Sequence, residues 1–135
     1  MSRAEMRHLR GLRVLVAEDE LLLSQQICEI LVSLECMVVG PVYNLDEAQQ
    51  AIRTNDFDGA LLDVQLGDAS VGPAIDELEQ RGIPFILVTG QGNLSGSSAV
   101  LGNAPILAKP FRVRQLEHMM SITFRARDGG EPDRR

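Results

Sequence analysis

The chain has 135 residues, 13 basic against 19 acidic side chains, a net charge of −6 and 44% hydrophobic residues. That length suits one domain whose core needs no disulfide or metal staple, and the acidic balance argues against nucleic-acid binding, which takes clustered Lys and Arg. No apolar run approaches the roughly 18 residues of a membrane span, and the arginine-bearing N-terminal arm, residues 1–11, lacks the apolar stretch of a secretory signal.

Two cysteines, Cys28 and Cys36, sit close together in sequence, and no Cys/His cluster has metal-ligand spacing. A reducing cytoplasm is the expected setting. Of the 13 basic residues only Lys109, just before Pro110, is a lysine. A compact ammonium and a planar guanidinium do not exchange freely at a tight oxyanion site, which singles Lys109 out.

Short apolar runs alternate with helical periodicity along the chain, the pattern of repeated βα units. Residues 13–17 (RVLVA) read as a first strand ending at Glu18 and Asp19, and positions 23, 27, 30, 31 and 34 share one helical face. Residues 37–39 form a short second strand closed by Gly40 and Pro41. Asn44 then caps a second helix, with Glu47 as its capping-box partner. Residues 59–63 (GALLD) are a third strand, apolar enough to be buried on both faces. Pro73 suits the first turn of a third helix and Gly82 lies just past its end. Residues 85–89 (FILVT) are a fourth strand. The following stretch, 90–103, holds four Gly and three Ser, so a fourth helix there is short or mobile. Residues 106–108 are a fifth strand, 112 to about 125 a last helix, and 126–135 a flexible tail.

Strict β/α alternation predicts an α/β fold: a doubly wound, five-stranded parallel sheet in the flavodoxin-like order 2-1-3-4-5. Ligands bind beyond the carboxyl ends of such strands. Those ends carry Glu18 and Asp19, then Asp63, Thr89 and Lys109. The second strand delivers no charged side chain and lies at the edge, so the polar ends are contiguous. Three gathered carboxylates repel, each pair by about 4 kcal/mol at ~4 Å and an effective dielectric near 20. Mg²⁺ relieves that repulsion through carboxylate oxygens. With an ammonium and a hydroxyl beside them, these groups can hold a phosphoryl group on a carboxylate. Asp63, at the end of the central strand, is the best-placed nucleophile.

These motifs (VLVAEDE, GALLDVQLGD, PFILVTG and ILAKPF, in that order) resemble the receiver domain of two-component response regulators, over about residues 12–125. The resemblance implies that Asp63 accepts phosphate from a histidine kinase or phosphotransfer protein. It implies that Glu18, Asp19 and Asp63, with the backbone carbonyl of Gln65, hold Mg²⁺. Thr89 and Lys109 would bind phosphoryl oxygens, and the Lys109–Pro110 bond is expected to be cis. Ile106 stands where this family usually has an aromatic switch, and Gly90 follows Thr89 where alanine is commoner. The interval from Asp63 to Thr89 is a few residues shorter than usual. Ordering of residues 90–103, beside Ile106, is therefore the expected switch in place of a rotamer change.

A phosphatase of the haloacid dehalogenase type would also use Asp, Thr, Lys and an acidic pair. Here, however, Asp63 is followed by Val64 and Gln65 with no second Asp, and the acidic pair precedes the nucleophile. A receiver that is never phosphorylated would have lost one of these groups. The expectation is thus a non-enzymatic, stand-alone receiver, since some ten residues after the last helix leave no room for a DNA-binding output domain. It would act through an unidentified downstream protein, with dimerisation on phosphorylation left open and no membrane or nucleic-acid partner. His8 and His118 read as surface residues, Cys28 and Cys36 as packing, and the N-terminal arginines as a solvated segment.

Overall fold

Alternating residues of each apolar strand point to opposite faces, and this chain fills both. The computed structural model describes residues 4–90 and 104–129. Strands β1 (Arg13–Ala17), β2 (Met37–Val42), β3 (Gly59–Asp63), β6 (Phe85–Thr89) and β7 (Ile106–Ala108) form one sheet in the order β2-β1-β3-β6-β7. Every pairing in it is parallel, which is the predicted order. Leu15, Leu62 and Leu87 face a core shared with helices α2 (Leu45–Thr54) and α3 (Gly72–Gln80). Val14, Val16, Leu61 and Ile86 face a second core under α1 (Leu21–Ser33) and α4 (Val113–Gly129). Close approach on that side depends on Gly59: a Cβ there would lie 2.6 Å from the Phe124 ring of α4.

Local chemistry explains the ends of the elements. Asn44 Oδ1 accepts from Glu47 N at 2.8 Å, the expected cap. The return bond is displaced by one residue, because Glu47 Oε1 accepts from Tyr43 N rather than from Asn44 N. Gly82 closes α3 in the left-handed region (φ +68°), as a C-terminal glycine does.

Four features depart from the sequence reading. First, β2 does not stop at Val39: after Leu15↔Val39 the register shifts to Ala17↔Val42, so a bulge at Gly40 and Pro41 absorbs one residue and the strand continues. Second, Gln65–Leu66 (β4) and Ala69–Ser70 (β5) make a small antiparallel hairpin straight after Asp63. Gly67 (φ +62°) takes the first central position of its two-residue turn. Third, α4 runs to Gly129, past the expected end near 125. Fourth, Ala4–Leu9 forms a 3₁₀ helix that docks on the fold, while Arg7 and Arg10 stay exposed as expected. Leu9 is fully buried in the α1/α4 core, and half-buried His8 donates from Nε2 to the Ser121 carbonyl at 3.1 Å. The expected fourth helix falls within 91–103, outside the described residues.

Candidate functional site

The carboxyl ends of β1, β3, β6 and β7 converge, and each delivers a polar group because the buried apolar run stops there. Glu18 follows β1. Its backbone N–H donates to the Val42 carbonyl at 3.0 Å, so the continuation of β2 past the bulge fixes it. Its side chain is only 1% exposed, and Oε2 accepts from Glu20 N at 3.0 Å. Exposed Asp19 accepts at Oδ2 from the hairpin N–H of Gly67 at 2.8 Å. Asp63, 5% exposed, accepts at Oδ1 from Gln65 N at 3.1 Å and at Oδ2 from Lys109 Nζ at 3.0 Å.

Lys109 is set in place by its own N–H, which donates to the Thr89 carbonyl at 2.8 Å. Its ammonium is shared among Asp63, Glu18 Oε2 at 3.4 Å and Glu20 Oε1 at 3.2 Å. The Lys109–Pro110 bond is cis, as the resemblance implied. Thr89 is fully buried, and its hydroxyl donates to the Gly90 carbonyl at 3.1 Å, one step along its own chain. Ile106 is half-buried against the α2/α3 core. Beside Lys109 a cleft of about 440 Å³ opens between Leu22, Leu23 and Phe111.

Oxygens of Glu18, Asp19 and Asp63 lie within 4.8 Å of one another. Glu18 Oε1 is buried and accepts no hydrogen bond, with Lys109 Nζ facing it at 3.4 Å. A buried oxygen that accepts no hydrogen bond, among carboxylates, is the environment that a hard divalent cation satisfies. The residues present therefore fit Mg²⁺. Burial pushes Glu18 up to about 7; the Glu20 N–H opposes that rise, Asp63 adds to it and Lys109 lowers it again. Burial works against the Lys109 charge, but Asp63, Glu18 and Glu20 outweigh it and push its pKa up.

The structure thus brings together Glu18, Asp19, Asp63 and Lys109, with Thr89 and Gln65 adjacent. Three participants were missed from sequence: Glu20 as a further partner of Lys109, and the backbone groups Val42 C=O and Gly67 N–H. Glu20 was visible as the third acid of the AEDE run; the backbone groups carry no side-chain signal.

Residues 14–121 match the family model of the response regulator receiver domain. The response regulator PhyR from Brucella abortus superposes with a TM-score of 0.79 at 25% identity, covering 95% of this chain and 54% of that one. A doubly substituted mutant of the anti-anti-sigma factor PhyR from Bartonella quintana does so at 0.79 and 25%, covering 93% and 53%. This chain therefore spans about half the length of the PhyR chains it resembles. The receiver domain of sensor histidine kinase PA1611 from Pseudomonas aeruginosa PAO1 was solved with magnesium in its active-site cleft. It superposes at 0.74 and 26% identity, covering 84% of this chain and 98% of that one. A search of curated protein sequences gives no match. A family match over most of the chain, on a sheet of the predicted order, has one reading: the chain belongs to the response regulator receiver domains of two-component signalling.

Proposed function

We propose that this receiver accepts one phosphoryl group on Asp63 from the phosphohistidine of a histidine kinase or phosphotransfer protein. In the transfer an Asp63 carboxylate oxygen forms the new bond to phosphorus. The N–P bond breaks, and its electron pair stays on the donor imidazole, which then takes up a proton. The observation that carries this reading is Lys109 Nζ at 3.0 Å from Asp63 Oδ2, amid three carboxylates within 4.8 Å of one another. Glu18, Asp19, Asp63 and the Gln65 carbonyl would hold Mg²⁺, whose chemistry is to neutralise charge on the phosphoryl oxygens. Lys109 would neutralise a further oxygen, and Thr89 would turn its hydroxyl from the Gly90 carbonyl toward another.

Asp63 is followed by Val64 and Gln65, with no second aspartate to act as general acid in hydrolysis, so the product is read as a signal and not a turnover step. The signal leaves in this reading through contacts with a downstream protein in the cytoplasm, with self-association of the phosphorylated form one such contact. Among the described residues no helix is long and apolar enough to cross a membrane. Intact-mass analysis after incubation with Mg²⁺ and a small phosphodonor tests the proposal. One phosphoryl adduct is expected on the wild type and none on Asp63→Asn; an adduct of equal yield on the variant would sink it.

A further inference from the structure

The hairpin β4–β5 is tied to the acidic cluster at both of its sides. Asp63 Oδ1 accepts from Gln65 N at 3.1 Å and Asp19 Oδ2 from Gly67 N at 2.8 Å. Between those two backbone donors sits Leu66, which is 1% exposed and seated in the α2/α3 core. Val64 and Val71 flank the hairpin, both buried, and Val71 N donates to the Val64 carbonyl at 3.0 Å to close its base. At its tip, Gly67 takes a positive φ of +62°, and a Cβ there would meet nothing within 4 Å.

We propose that this hairpin is a positioning element for the metal site: its Gly67 N–H fixes the exposed Asp19 carboxylate that would otherwise be free to rotate. Asp19 sits on the loop between β1 and α1, exposed to water. A carboxylate oxygen that accepts one N–H keeps further lone pairs for a cation, and its partner oxygen is untouched. Hydrogen-bonded partners of this kind orient metal ligands, and their loss typically weakens binding about 10–100-fold. The buried Leu66 anchor gives the hairpin a fixed place, so the donor is presented before the metal arrives. This inference rests on the proposed Mg²⁺ site and deepens it.

The test exploits a matched pair of glycines. Gly67 and Gly82 both have positive φ (+62° and +68°) and both offer open space at Cβ. Valine disfavours that backbone region, so Gly67→Val and Gly82→Val carry a similar conformational penalty, but only the first disturbs the turn at Asp19. Mg²⁺ dissociation constants are measured by calorimetry on the metal-free chain, with folding checked by thermal melts. Gly67→Val is expected to bind Mg²⁺ at least about five-fold more weakly than wild type, and Gly82→Val within about two-fold of it. Gly67→Ala, milder in strain, should fall between them if Gly67→Val fails to fold. Wild-type affinity in the Gly67 variants, with Asp19→Asn clearly weakened, would overturn the inference and leave the metal site standing. Equal affinity in wild type and Asp19→Asn would instead remove the metal site, and the inference with it.

Discussion

At Glu18 a carboxylate is held out of water beside Asp63, answered only in part by the Glu20 N–H and a shared Lys109 ammonium, and burial raises its pKa to about 7 from 4.5. Folding thus favours protonated Glu18. That contribution is fully present below about pH 4.5 and is lost as pH rises through about 7. In the metal-free protein Glu18→Gln should therefore raise the melting temperature by several degrees at about pH 8 and by little at about pH 5. Thermal melts at the two pH values check this, and an equal gain at both would contradict it. The thiols give a second outcome. Cys36 is buried, donates to the Leu9 carbonyl at 3.3 Å and is pushed up to about 11 by burial. Iodoacetamide at about pH 8 should spare it in the native protein and modify it in urea, read by mass spectrometry; half-buried Cys28 should react first. Much of the site was legible at this level because a buried strand ends where its apolar run ends, so Glu18, Asp19, Asp63, Thr89 and Lys109 could be located by sequence. Glu20 was not, because its partner is fixed by how far Lys109 reaches across from β7.

Strands and helices with strong periodicity were readable, as was the three-residue β7, but the two-residue and irregular ones were not. Two-residue strands such as β4 and β5 carry too few residues to show alternation, although Gly67-Asp68 is a sound hairpin turn. The bulge that carries β2 past Gly40 depends on pairing with β1, which local sequence does not reveal. The N-terminal segment misled for a related reason. Its arginines suggest solvent, and Arg7 and Arg10 are exposed, yet buried Leu9 docks the segment on the core. Leu9→Ala should cost about 2–5 kcal/mol by urea denaturation, as a buried leucine does. A cost below ~0.5 kcal/mol would mean that the 3₁₀ helix is not part of the α1/α4 core. Gly59→Ala should destabilise by about 1–3 kcal/mol, since the new methyl meets the Phe124 ring at 2.6 Å. Phe124→Leu in the same background should recover part of that loss.

For the molecule as a whole, the parallel order β2-β1-β3-β6-β7 is what makes one site out of residues 91 positions apart, since Glu18 and Lys109 meet only because β1 and β7 share a sheet end. Whatever binds there stabilises the whole fold by mass action. Chelation of Mg²⁺ should therefore lower the melting temperature of the wild type and leave Asp19→Asn almost unchanged. The switch expected of residues 90–103 falls almost wholly outside the described residues, and Ile106 and Gly90 alone mark its edge. The proposed phosphoacceptor can be tested chemically. An aspartyl phosphate, unlike a free carboxylate, is reduced by borohydride to homoserine. After treatment with Mg²⁺ and a phosphodonor, then borohydride, peptide sequencing should find homoserine in place of Asp63 and nowhere else. Homoserine at another aspartate, with Asp63 intact, would contradict the assignment.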